Sequence, residues 1–287
     1  MGSPAFLEEE GARHGFDVDV VPPLQDEGRP VSSGTIRAAL AAGRIHRRYF
    51  RKNPDVQKKG PIDLVTEADL AVEADFRRLI AGTWPDHAVL GEEGPRDNDS
   101  RGRCRWIIDP LDGTTNFAHG LALFCVSIAL EVDGQVVLGV VYDPIAEELF
   151  TAERDGGARL NGLPIGVSST SGLGDALLCT GFPYGIREKP GKQVEVFAGF
   201  LQQARAVRRL GSAALDLCYV AAGRFDGFWE EHLHAWDMAA GCLIVQEAGG
   251  RNSRYDDAPV DLFGGQLVAS NGRIHAQMRA VIDAHRR

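Results

Sequence analysis

The run Trp106-Ile-Ile-Asp109-Pro-Leu-Asp112-Gly-Thr114-Thr115-Asn116 holds the residues best suited to chemistry. An apolar strand feeds into two carboxylates three residues apart, with Pro110 and Gly113 to turn the backbone and hydroxyls where a helix can begin. Aspartates without histidine or thiolate prefer hard, oxygen-loving cations such as Mg2+ or Mn2+. The exposed N–H groups of a helix start favour an anion, phosphate among them. Asp112-Gly113 alone would read as an acidic turn after a buried strand. The whole run reads as a site for a metal and a phosphate.

Three further acids fall at element boundaries: Asp69 in a first helical turn, Glu92 after a short strand, and Asp237 at the start of a helix. Each has a structural explanation when taken alone. Asp69 completes a capping box with Thr66, Asp237 complements a helix dipole, and Glu92 and Glu93 are loop charges. Together they occupy the ends of elements, where layered folds present chemistry. In one pocket they would repel. Two like charges about 4 Å apart cost roughly 1 kcal/mol in water and about 4 at the effective dielectric of a protein surface. Divalent cations remove that cost and become the working charges of a site. Spacing alone leaves the convergence open.

The elements that must position these acids follow from patterning. Ser32 or Ser33 caps a helix through Tyr49, with Ile36, Leu40, Ile45 and Tyr49 at roughly helical spacing, and Asn53-Pro54 ends it. Thr66-Glu67-Ala68-Asp69 opens a second helix, with Leu70, Phe76, Leu79 and Ile80 along one side. Short strands are predicted at 88–90 and 106–108, each running into carboxylates. Two strands across 124–142 meet at Asp133-Gly134, a hairpin signal, and Asp155-Gly156-Gly157 and Asn161-Gly162 extend the meander. Helices are expected at 197–207, 213–222, 237–248 and 274–285, and strands at 15–21, 225–230 and 266–269. Strands mixed with helices, without strict alternation, predict an α+β layered sandwich.

With 287 residues, the chain suits one large domain or two small ones. Hydrophobic content of 44% and charged content of 25% are those of a folded soluble protein. A net charge of −9 argues against a nucleic-acid surface, which needs a basic face. The most apolar run, 121–130, is too short to span a bilayer and is expected to be a buried strand. With no signal peptide at the N-terminus, a cytoplasmic location is expected. Cys104, Cys125, Cys179, Cys218 and Cys242 are scattered and read as buried thiols, not disulfides or a zinc site.

Four motifs resemble, in order and spacing, those of the inositol monophosphatase family: Asp63-Leu-Val-Thr-Glu-Ala-Asp69, Gly91-Glu92-Glu93, Trp106 through Asn116-Phe117, and Trp236-Asp237-Met-Ala-Ala-Gly241. The resemblance covers about residues 36–287 and implies an αβαβα sandwich, usually a homodimer, whose activity lithium often inhibits. It implies that Glu92, Asp109, Asp112, Asp237 and the carbonyl of Leu111 hold Mg2+, with Mn2+ a possible substitute. Asp69 and Thr114 would activate water with help from Glu92. Gly113 and Thr114 would cradle the phosphate, and Gly211, Ser212, Ala213 and Glu230 would bind the alcohol. Lys58 resembles a position near the metals but reads better as a solvated lysine. His234, three residues before Asp237, reads first as structural.

The function implied is a Mg2+-dependent phosphomonoesterase acting on a small polyol phosphate, myo-inositol monophosphate first. Phe228-Trp229-Glu230 and His234-Ala235-Trp236-Asp237 look more like the inositol branch than like relatives acting on fructose 1,6-bisphosphate, histidinol phosphate, nucleotide bisphosphates or NADP. A regulatory metal-binding protein acting through a partner is the alternative from another class. Residues 15–43, with Ser32-Ser33-Gly34-Thr35-Ile36-Arg37, also resemble the end of the adenylyltransferase half of bacterial FAD synthetases, whose upstream histidine motif is absent. A fusion remnant, a boundary effect and an accidental match in an amphipathic helix stand side by side. The expected division is an N-terminal extension at 1–31 and a phosphatase domain at 32–287.

Overall fold

Alternate residues of the central strands face two different cores, and that alternation builds the layers. The computed structural model describes residues 25–26, 29–52, 56–58, 64–94, 103–187 and 191–286. The strand expected at 15–21 lies outside them, as does the side chain of Lys58. A two-residue pair, β1 (Gln25–Asp26) with β2 (Arg29–Pro30), precedes helix α1 (Val31–Tyr49). A second pair, β3 (Val56–Lys58) with β4 (Leu64–Thr66), leads into α2 (Glu67–Thr83).

The larger sheet contains β5 (Ala88–Gly91), β6 (Cys104–Asp112), β7 (Cys125–Val132), β8 (Gln135–Asp143), β9 (Glu148–Glu153), β10 (Gly157–Leu160) and β11 (Leu163–Pro164). They lie in sequence order across the sheet. All neighbours are antiparallel except β5 and β6, which run parallel. After them come β12 (Leu177–Thr180), α4 (Gly191–Gln203), β13 (Ala206–Arg208), α5 (Ala213–Ala221) and β14 (Gly227–Glu231). The chain closes with α6 (Ala235–Glu247), β15 (Arg251–Ser253), β16 (Gln266–Ser270) and α7 (His275–Arg286). The five-stranded sheet has the order β13-β12-β14-β16-β15. One short helix, α3 (Thr114–Ala118), follows β6 directly.

Trp106 and Ile108 of β6 pack with Phe76 and Ile80 of α2 and Ile36 and Leu40 of α1 on one face of the large sheet. Ile107, between them, turns to the other face, where α5 and α6 fill the space before Phe228 and Leu267 of the second sheet. Trp229 and Val268 point outward again, onto Phe200 of α4 and Met278 of α7. The result is the αβαβα sandwich expected from the motifs. Helix α6 is apolar on nearly every side, with buried residues from Ala235 to Val245, because sheets cover it from two directions.

Several predicted bounds shift. The strand expected at 106–108 continues to Asp112, because a β-bulge opposite β7 absorbs Pro110. The apolar run from residue 121 enters β7 only at Cys125. The helix expected at 197–207 instead spans Gly191–Gln203, and Ala206–Arg208 joins the second sheet as an edge strand. Four of the five cysteines are buried and none forms a disulfide. No described helix is long and apolar enough to cross a membrane.

The layers come into close backbone contact where Gly139 of β8 meets α6. A Cβ at Gly139 would stand 2.8 Å from the carbonyl oxygen and 3.1 Å from the Cα of Ala240. Both are backbone atoms and cannot swing aside. Gly139→Ala is therefore expected to destabilise the fold by about 1–3 kcal/mol, the usual range for overpacking. Urea unfolding measures this, and an unchanged midpoint would show that the helix–sheet spacing is adjustable.

Candidate active site

Asp69 owes its place to a helix cap. Thr66 is the N-cap of α2, and its hydroxyl oxygen accepts from the amide of Ala68 at 3.2 Å. The backbone N–H of Thr66 donates to Asp69 Oδ2 at 2.8 Å, and the Thr66 hydroxyl donates to the same oxygen. The other oxygen, Oδ1, is turned toward the Thr114 hydroxyl, 3.4 Å away. Thr114 Oγ1 lies nearer the carbonyl of Leu111, at 2.9 Å, so its proton has two acceptors to choose between. Burial raises the Asp69 pKa to about 6 against the opposing bonds from Thr66, and the charge of Glu93 adds to the rise.

The bulge in β6 sets the next pair. In a regular strand, residues three apart face opposite sides. Here Asp109 stands opposite Ser127 and Asp112 opposite Cys125, so three steps on β6 match two on β7 and both carboxylates reach one cleft. Pro110 fits a bulge because it has no N–H to contribute to the ladder. Its carbonyl is met by Nε2 of buried His46 at 2.8 Å. Burial lowers the pKa of that imidazole to about 4, which keeps it neutral and leaves Nε2–H as the donor.

A cleft of about 1030 Å3 is lined by Glu92, Asp109, Leu111, Asp112, Gly113, Thr114, Gly211, Ser212, Ala213, Glu230 and Asp237, among others. Every residue given a metal, catalytic or substrate role from the sequence lines it except Asp69, which reaches it through Thr114. One oxygen of each aspartate is fixed by protein. Asp109 Oδ1 accepts from the Leu111 amide at 2.9 Å, and Asp237 Oδ2 accepts from the His234 amide at 2.7 Å. Asp112 Oδ2 accepts from the Ser212 hydroxyl and the Ala214 amide, both at 2.7 Å. Among the described residues, no hydrogen bond reaches the second oxygen of any of the three.

Burial dominates the electrostatics. It drives the Asp109 pKa well above the usual range, helped by the charges of Glu92, Asp112 and Asp237. It raises Asp112 to about 7, with Asp237 adding and Ser212 opposing. Glu230 rises to about 8, again through burial first and Asp237 second, with Arg209 pulling the other way. Among the described residues, no three acidic, histidine or cysteine side chains already close around one point as a ready metal cage. The donor set still fits a hard divalent cation: all donors are oxygens, each aspartate has one oxygen tied and one open, and crowding favours their neutralisation.

Gly113 begins α3 with φ +99°, and a Cβ there would meet the Leu123 carbonyl at 2.8 Å. Both conformation and space require glycine. The first amides of a helix have no intrahelical acceptor, and Gly113, Thr114 and Thr115 at this helix start line the cleft. Asn116 ties this turn to the far wall through Nδ2, which donates to the carbonyls of Leu123 and Leu210, both at 2.8 Å. His234 stacks on Trp236, with ring centroids 4.7 Å apart, and its Nδ1 lies 3.6 Å from Asp237 Oδ2. It therefore sits in the cleft wall beside the acids.

Sequence reasoning missed His46, Arg209 and Asp216. Asp216 is buried at the cleft wall with Oδ1 unpartnered, and its pKa is raised by burial and then by Glu230 and Asp112. Only its first-turn position on α5 could have signalled it.

The inositol monophosphatase family model matches residues 27–287. An inositol-1-monophosphatase from Rhizobium meliloti (strain 1021) is 44% identical over 86% of this chain and 94% of its own length. The Nus factor SuhB of Pasteurella multocida is 43% identical over 85% and 92%. The structure of an inositol monophosphatase from Anabaena (Nostoc) sp. PCC 7120 superposes with a TM-score of 0.81 at 40% identity, covering 88% of this chain and 95% of that one. The fold is that of a layered phosphatase. The chain belongs to the inositol monophosphatase family and is a phosphoric monoester hydrolase of that kind. Nothing in these comparisons supports the likeness of residues 15–43 to FAD synthetases.

The raised carboxylates carry a sign. Between the ordinary pKa of 3.8 and about 7, the folded chain keeps a proton on Asp112 that the unfolded chain has lost. More protons bound in the native state means that stability falls as pH rises through that window. In chelator, Asp112→Asn is expected to melt higher than the parent at pH 8, with the difference shrinking toward pH 4. Thermal melts across that range check it, and a pH-independent difference would remove the electrostatic account.

Proposed function

We propose that the protein is a Mg2+-dependent phosphomonoesterase of small polyol phosphates, with myo-inositol monophosphate as the first substrate. The observation that supports this best is the shared cleft, which gathers four separated acids, Thr114 and the first turn of α3. Glu92, Asp109, Asp112, Asp237 and the Leu111 carbonyl would hold Mg2+, and Mn2+ suits the same oxygens. When bound, the cation supplies Lewis acidity, easing ionisation of water and steadying the leaving alkoxide.

The chain does the positioning. A water donating to Thr114 Oγ1 lets the Thr114 proton pass to Asp69, whose pKa of about 6 suits a base near neutral pH. Glu92 assists from the loop after β5. Gly113 and the amides after it receive the phosphate oxygens at the start of α3. Glu230 and the segment Gly211 to Ala213 take the hydroxyls of the alcohol. Ser212 already donates to Asp112, so it joins the alcohol end to the acids.

The phosphatase unit is assigned to 32–287, with 1–31 as an extension, although the family match begins a few residues earlier, at 27. A cytoplasmic homodimer inhibited by lithium follows from the same kinship. The SuhB-named relatives favour a second reading, in which a partner protein uses the same fold. Asp109→Asn would then abolish hydrolysis and leave partner binding intact.

A panel of phosphate esters assayed with Mg2+ tests the substrate. Inositol monophosphate is expected to be turned over best, and a strong preference for fructose 1,6-bisphosphate, histidinol phosphate or NADP would reassign it. Asp237→Asn is expected to lower turnover by orders of magnitude and Glu93→Gln only mildly. Comparable losses would mean that the acids are wrongly assigned.

A further inference from the structure

Glu73 follows Asp69 by one helical turn on α2, so both carboxylates leave the same side of the helix. Like Asp69, it does not line the cleft itself. Its side chain is 3% exposed and is fully engaged by three donors. Oε2 accepts from the backbone N–H of Glu93 at 2.8 Å. Oε1 accepts from the backbone N–H of Gly94 and from Arg77 Nε, both at 2.8 Å. Arg77 also reaches back to the carbonyl of Val89 in β5, at 3.4 Å.

This carboxylate explains the glycines around Glu92. A Cβ on either Gly91 or Gly94 would collide with the Glu73 carboxylate. Neither glycine has a positive φ, so space, not backbone conformation, excludes a side chain. Burying a charge is expensive unless its hydrogen bonds are complete. Here they are completed chiefly by the two amides that follow Glu92.

We propose that Glu73 is a positioning residue for divalent-cation binding. It clamps the Gly91–Gly94 loop onto α2 and so fixes Glu92 relative to Asp69. Helix α2 sets that separation directly: its first turn carries Asp69, and its second turn holds the loop that carries Glu92. This rests on the assignment of Glu92 as a metal ligand.

Calorimetric titration with Mg2+, alongside turnover at saturating Mg2+, tests it in the full chain. Partners that orient metal ligands are typically worth about 10–100-fold in metal affinity, so Glu73→Gln is expected to weaken Mg2+ binding by about tenfold or more. Turnover should recover to near the parental value once Mg2+ saturates. Gly94→Ala keeps the Glu73 carboxyl group but pushes it away from the loop, and is expected to weaken Mg2+ binding in the same direction, with a lower melting temperature. If Glu73→Gln does not fold, Gly94→Ala decides the matter alone. Unchanged Mg2+ affinity in a folded variant, even with a lower melting temperature, would overturn the proposal. So would a turnover loss that Mg2+ does not restore. A parent chain that binds no Mg2+ would instead overturn the metal assignment beneath it, which separates the two failures.

Discussion

The dominant constraint is the burial of like charges. Asp109 and Asp112 lie at the end of a strand that is buried from Trp106 onward, and burial outranks every other influence on their protonation. A fold selected for stability alone would place apolar side chains there, because desolvated carboxylates without cations weaken the native state. What surrounds them makes sense as a way of holding that strain. Each aspartate is bonded on one oxygen by a backbone amide and left open on the other. The closed oxygen fixes direction, and the open one is left for a ligand. A divalent cation is the natural complement of such a set, since it neutralises the charges without new protein contacts.

The bulge in β6 depends on that same requirement. Without it, Asp109 and Asp112 would emerge on opposite faces of the sheet, one toward α5 and α6 and the other toward α1 and α2. Pro110 tolerates the lost ladder bond, and the neutral ring of His46 from α1 satisfies the carbonyl left behind. A helix from the outer layer thus supports the geometry of an acid pair on the inner face. Buried Phe117 and Phe124 pack edge-on around the imidazole and keep water from the bond.

Much of this was legible in the chain. The capping box at Thr66–Asp69, the hairpin at Asp133-Gly134 and the strand-to-helix turn at Gly113 all depend on local chemistry, and all appear where the residues place them. The convergence of Glu92, Asp109, Asp112 and Asp237 was not visible from spacing and came from the four-motif resemblance. What escaped was non-local. Val207 forms an edge strand because β12 offers it a partner, against a helical pattern that continues past Gln203. Strand β12 itself is only four residues, too short to show alternation. His46 and Asp216 looked like ordinary helix residues because their partners lie far along the sequence.

The two ends of the cleft are joined through Asp112. Its Oδ2 is held by Ser212 and Ala214, at the start of α5, while Asp112 itself stands at the end of β6 with Asp109. Gly211, with φ +87°, allows the turn that brings Ser212 to this position, and Asn116 lies against it from α3. A ligand that shifts the Gly211–Ala213 segment therefore bears directly on the orientation of Asp112. A cation bound to Asp112 would likewise stiffen the Gly211–Ala213 wall. Coupling of this kind is reciprocal by linkage. Metal and substrate should each tighten the other because they share one carboxylate, with no conformational relay between distant sites.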